Sequence, residues 1–180
     1  MEIKKYKRLT QSIVFISFFL IIGPLQAASL SQAGVASAHP LATEIGEKIL
    51  KSGGNAIDAA VAISAALAVV EPYGSGIGGG GFWLVHNSVD GKDMMIDGRE
   101  RAPYAASRDM YLDAKGQVDH KKSMDGALAA RIPGVPAALQ YLAESYGLLD
   151  LSTSLEPAIH LARDGFKVDA YFARMLKFRL

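Results

Sequence analysis

The run Ala56–Val70 constrains this fold more than any other stretch. It reads Ala-Ile-Asp-Ala-Ala-Val-Ala-Ile-Ser-Ala-Ala-Leu-Ala-Val-Val, apolar nearly all round a helix. A helix without a polar face has to be covered on every side. At ~22 Å for about fifteen residues it is too short for a bilayer, which needs ~20 residues. Its alanines (Ala59, Ala60, Ala62, Ala65, Ala66, Ala68) let neighbours pack close. The expectation is a helix inside a layered protein, against a sheet. Asn55 stands at the N-cap, Asp58 falls where an acid favours the helix N-terminus, and Glu71-Pro72 ends the run.

A glycine cluster follows, Gly74-Ser75-Gly76-Ile77-Gly78-Gly79-Gly80-Gly81. Glycine loses the most backbone freedom on folding, so such a run belongs where backbone must take positive φ or be approached closely. Two frames match G-x-G-x-x-G, a dinucleotide signal only when a strand precedes and a helix follows. Here a helix precedes and the strand Phe82–His86 follows, and no Lys-Ser or Lys-Thr closes a phosphate loop. The run reads instead as a tight structural crossing. Met94–Asp97 is a second strand, paired with the first through an Asp90-Gly91 turn. It delivers Gly98-Arg99-Glu100-Arg101-Ala102-Pro103 to the sheet end. Phe82 and Trp83 are expected in the core, and His86 as a half-buried packing residue.

Elsewhere Val35–Ala38 reads as a short buried strand stopped by His39-Pro40, and Leu41–Lys51 as an amphipathic helix ended by Gly53-Gly54. Ser107–Leu112 reads as a helical turn and Asp113–Gly116 as a turn. Pro133-Gly134-Val135-Pro136 opens a helix with core positions Val135, Leu139, Leu142 and Ala143, capped by Gly147. The next helix is expected to start within Ser152-Thr153-Ser154, because Pro157 belongs in a first turn. It carries Leu155, Ile159, Leu161 and Ala162 and ends at Gly165. A last helical run covers Asp169–Leu180. The class is α+β.

Residues 1–28 have the form of a secretory signal peptide. Lys4, Lys5, Lys7 and Arg8 start it, Ile13–Ile22 is its apolar centre, and Gly23-Pro24 precedes Ala27-Ala28. The expected location is therefore periplasmic or extracellular; the apolar run of about ten residues falls short of the ~20 that span a bilayer, and the imperfect small-x-small site Leu25-Gln26-Ala27 leaves an uncleaved anchor as the alternative to cleavage. Without this leader the 19 basic and 18 acidic residues become 15 and 17. That balance points to neither nucleic acid nor an anionic membrane as partner. There is no cysteine, hence no disulfide or thiolate metal site. His39, His86, His120 and His160 are scattered without metal-ligand spacing, so no metal is expected.

Five pieces in order resemble the γ-glutamyltransferase (glutathione hydrolase) family: Gly53–Ala60, Gly78–Phe82, Asp97–Pro103, Arg108–Tyr111 and Leu161–Phe166. The resemblance implies an αββα sandwich of the N-terminal-nucleophile hydrolase type, incomplete in these residues, and no organic cofactor. It implies that Arg99 binds the α-carboxylate of a γ-glutamyl substrate such as glutathione, a task suited to arginine's rigid fork of donors. The residues alone leave Arg99 open between that role and a surface ion pair with Asp97 or Glu100. Asp97 and Glu100 are open between holding Arg99 and being solvated loop acids; Arg101 and Arg108 read as exposed charges.

The family's nucleophile is a threonine freed by self-cleavage, whose α-amino group can act as base. The threonines here are Thr10, Thr43 and Thr153, none in the Thr-x-His context where the family cuts itself. The expectation is that residues 29–180 are the front part of a large subunit, partnered by the small subunit of the same precursor, with the nucleophile beyond the chain end. A cephalosporin acylase, a poly-γ-glutamate transferase and an inactive exported binding fragment are the alternatives.

Overall fold

The computed structural model describes residues 33–179, so the leader-like segment 1–28 lies outside the described residues. The chain divides into two units, Met1–Gly34 and Val35–Leu180. Of the first, only Ala33 and Gly34 are described.

Helix α1, Pro40–Lys51, starts where His39 turns its backbone extended and its ring Nδ1 accepts the Leu41 N–H at 3.2 Å. Pro40 loses nothing at the first helical position, where an N–H has no intrahelical partner. At the other end Gly53 takes φ 97°, and the N–H groups of Gly53 and Gly54 donate to the carbonyls of Leu50 and Ile49. This is the paired C-terminal bonding that a left-handed glycine permits. Val35–Ala38 is not the expected strand. The Ser37 hydroxyl bonds locally, to the His39 carbonyl and to Thr43 Oγ1, so the segment serves as a lead-in to the helix.

Helix α2, Ala56–Val70, carries a full capping box: Asn55 Oδ1 accepts from Ile57 and Asp58, and Asp58 Oδ2 accepts the Asn55 N–H at 2.8 Å. From Ile57 to Val70 no residue is exposed, as an apolar helix requires. One side packs Ala59, Ala62, Ala65 and Ala66 on Ala42, Ile45 and Ile49 of α1 and on Ala158. The other presents Val61 to a second cluster of Val135, Leu139, Leu142 and Ala143, against which Trp83, Val85 and Ile96 pack.

Strands β1, Gly81–Asn87, and β2, Lys92–Gly98, form a two-stranded antiparallel sheet in the register Trp83↔Ile96 and Leu84↔Met95. The side chains alternate, so Trp83, Val85, Met94 and Ile96 are partly buried while Phe82, Leu84, His86 and Met95 are exposed. Phe82, at 57% exposure, is therefore not a core residue; its place in the pleat puts it opposite Trp83. His86 is likewise exposed rather than half-buried, its Nδ1 2.7 Å from the cross-strand Asp93 carboxylate.

Between Arg99 and Gly134 lie turns, a short helix α3 (His120–Met124) and a 3-10 turn at Ala127–Ala129; Ser107–Leu112 forms consecutive turns, with the Met110 and Leu112 N–H groups donating to the carbonyls of Ser107 and Asp109. Helix α4, Val135–Tyr146, buries all four expected core residues and Ala138 as well. Truncating the fully covered Leu142 to alanine would cost ~2–5 kcal/mol. Helix α5, Leu151–Asp164, starts earlier than expected and holds Pro157 in its interior. The missing bond is the one to the Thr153 carbonyl, on an exposed residue where water can substitute. Its inner positions are Ser154 and Ala158, not the exposed Ile159 and Ala162. Helix α6, Ala170–Arg179, follows the Asp169 side chain, which accepts the Phe172 N–H at 2.7 Å.

Candidate functional site

At the end of β2 three backbone segments cross. Asp97 Oδ1 accepts the Arg99 N–H at 3.0 Å and turns the chain out of the sheet. Arg101 and Ile132 exchange backbone hydrogen bonds of 3.0 and 2.9 Å, and the N–H groups of Gly134 and Val135 donate to the Gly79 carbonyl. The glycines at the crossing are there for closeness. A Cβ on Gly80 would sit 2.5 Å from the Glu100 nitrogen and 2.7 Å from Arg99 Cα. One on Gly98 would meet the Trp83 ring at 2.6 Å, and one on Gly134 would strike the carbonyls of Gly98 and Arg99. None of the three has positive φ. Gly78 and Gly79, by contrast, have open space where a Cβ would stand.

The crossing fixes a charged cluster. Glu100 Oε1 lies 3.1 Å from Arg99 Nη2 and 2.8 Å from Arg131 Nη1. The Glu100 side chain is only 11% exposed, whereas Arg99 and Arg131 are 53% and 59% exposed. The carboxyl is held below the usual glutamate range, first by its own backbone N–H and then by the Arg131 hydrogen bond; burial opposes these, and the positive charges of Arg99 and Arg131 add smaller effects in the lowering direction. The carboxylate is thus an anchored anion and the two guanidiniums its water-facing partners, leaving one excess positive charge. The Arg99 guanidinium carbon also stands 6.0 Å from the centre of the exposed Phe82 ring. A groove of about 570 Å³ runs beside it, with Asp97, Arg99, Arg101, Ile132, Ala137 and Tyr141 in its lining.

Arg99 and Glu100 are therefore together, and Glu100 is a holding group rather than a solvated loop acid. Asp97 holds the Arg99 backbone, not its guanidinium. Arg108 lies apart, almost fully exposed beside Asp109. Arg131 escaped the sequence reading, because nothing local marks it; only the Arg101–Ile132 pairing brings it to Glu100. The Thr43 hydroxyl bonds Ser37 and the His39 carbonyl, neither an activating base, and Thr153 is exposed on α5. Among the described residues no group of three or more His, Asp or Glu could hold a metal ion.

Residues 42–179 match the family model described as gamma-glutamyltranspeptidase. The chain belongs to the gamma-glutamyltranspeptidase family. It is 47% identical over 146 residues to the glutathione hydrolase proenzyme of Escherichia coli (strain K12), covering 81% of this chain and 25% of that protein. The chain thus spans about a quarter of the length of the curated relatives it matches. Among solved structures, the gamma-glutamyltranspeptidase of Helicobacter pylori superposes with a TM-score of 0.79 at 47% identity, over 83% of this chain and 43% of that one. A cephalosporin acylase from Bacillus halodurans superposes at 0.68 with 34% identity, over 87% and 30%. The mixed helix-and-strand architecture described above is common ground with these family members.

Proposed function

We propose that these residues are the front part of the large subunit of a γ-glutamyltransferase, or glutathione hydrolase, precursor. The complete enzyme would cleave γ-glutamyl amides such as glutathione and pass the γ-glutamyl group to water, an amino acid or a peptide. The reaction would run through a threonine of the small subunit. The observation that carries the reading is the Arg99 guanidinium, anchored at one nitrogen on Glu100 and half open to solvent. Its remaining donors suit a bidentate grip on an α-carboxylate. The sheet supports the sandwich part of the proposal, since helices α2 and α4 cover one face while Phe82, Leu84 and Met95 lie bare on the other. A second sheet laid there would complete the αββα layers. Export of the mature part, residues 29–180 onward, to the periplasm or the outside rests on the leader's sequence alone.

In the full-length precursor, Arg99→Lys keeps the charge and loses the planar fork. The expected result is a raised KM for a γ-glutamyl anilide with the melting temperature intact; unchanged kinetics would return Arg99 to a surface ion pair. Likeness to a cephalosporin acylase supports a second reading, which turnover of a cephalosporin side-chain amide in preference to the anilide would favour.

A further inference from the structure

We infer that Arg131 is a positioning residue for substrate carboxylate binding, neutralising Glu100 so that Arg99 keeps its positive charge for the ligand. The inference rests on the reading of Arg99 given above. Both guanidiniums reach the same atom, Glu100 Oε1, and the Arg131 contact is the shorter, 2.8 against 3.1 Å. Glu100 is held on several sides. Its Oε2 lies against Gly80, whose missing Cβ makes room for it, and its backbone is locked between the glycine run and the Arg101–Ile132 pair. A nearly covered carboxylate with one cationic partner would draw that partner into a closed, neutral pair. With Arg131 present the cluster carries one net positive charge, and that charge sits on the two exposed guanidiniums. Arg131 is itself fixed by its neighbour Ile132, whose backbone is bonded both ways to Arg101. The arrangement therefore gives Arg131 an electrostatic task carried out through Glu100 and Arg99, with no contact to the substrate required.

The test uses the full-length, matured enzyme and a γ-glutamyl anilide, comparing Arg131→Met, Arg131→Lys and Arg99→Lys. Loss of one positive charge this close to the carboxylate, in a partly solvated setting, is expected to raise KM about three- to tenfold and leave kcat within about twofold. The salt dependence of KM should weaken as well, since exposed charges are screened over about 10 Å at 0.1 M salt. Arg131→Lys should restore KM, because charge and not shape is at issue. If Arg99→Lys raises KM while Arg131→Met does not, this inference falls and the reading of Arg99 stands. If neither changes KM, both fall. A rise that Arg131→Lys fails to rescue, or a fall in kcat together with the melting temperature, shows a structural role and overturns the inference.

Discussion

Asp58 offers a direct check on how the helical layer is held together. It is completely buried, yet its carboxylate accepts four hydrogen bonds: one from the Asn55 N–H, two from the Leu148 N–H across both oxygens, and one from the Leu149 N–H. It thereby joins the start of α2 to the loop between α4 and α5, where Asn55 Nδ2 also donates to the Tyr146 carbonyl at 2.7 Å. Asp58→Ala strips the acceptor from three backbone donors. An unsatisfied buried donor costs ~1–3 kcal/mol, but Leu148 is 72% exposed and water can reach part of the gap, so the expected loss is about 2–4 kcal/mol. Asp58→Asn keeps one oxygen for Leu148 and Leu149 and turns an amide toward the Asn55 N–H, so about 1–2 kcal/mol is expected. Thermal unfolding of the full-length precursor should rank wild type above Asn above Ala. Amide exchange should accelerate at Leu148 and Leu149 in the alanine variant. An alanine variant with wild-type melting and unchanged exchange at those two amides would refute the reasoning.

The glycine crossing separates positions by what a methyl group would meet. Gly80→Ala should destabilise by about 1–3 kcal/mol through overpacking on Arg99 and Glu100, and Gly78→Ala should be near neutral in the same melting assay; equal effects would contradict the geometry. Glu100 has a lowered pKa in the folded protein, so its ionised form stabilises the fold fully above the ordinary glutamate value of 4.5, and this is lost as pH falls through the lowered folded value. The melting gap between wild type and Glu100→Gln should accordingly be present at neutral pH and shrink as the pH falls below 4.5 and through the lowered folded value, whereas a gap that widens on acidification would give the opposite sign. Residues 29–180 expressed alone should self-associate through the bare face of Phe82, Leu84 and Met95, and Leu84→Lys should reduce this in sedimentation; a monodisperse wild-type fragment would count against it.

What could be read from the sequence was whatever short-range chemistry decides. The Asn55 cap, the cover required by Ala56–Val70, the hairpin at Asp90-Gly91 and the α4 core positions all follow from local pattern, and the structure agrees. Phe82 and His86 show where local pattern stops. In a strand, alternation decides which residues share a face, but only tertiary packing decides which face is covered. Pro157 sits inside a helix rather than in its first turn because α5, packed on α2 through Ala158, can leave the exposed Thr153 carbonyl to water. At the site, Arg99 and Glu100 were visible as a charged loop motif. Arg131, about thirty residues further along the chain, joins them only through the Arg101–Ile132 pairing, a non-local contact without a local signature.

The central claim is that Arg99 reads an α-carboxylate. The most direct measurement is kcat/KM of the full-length enzyme for a γ-glutamyl anilide against the same anilide with its α-carboxylate converted to the carboxamide, in wild type and in Arg99→Gln. The wild type should prefer the carboxylate by roughly tenfold or more, since hydrogen bonds to a charged group are worth ~1.5–3 kcal/mol. Arg99→Gln should reduce that preference to near unity, chiefly by losing activity on the carboxylate substrate. A wild-type enzyme indifferent to the carboxylate, or an Arg99→Gln variant that retains the full preference, would contradict the account.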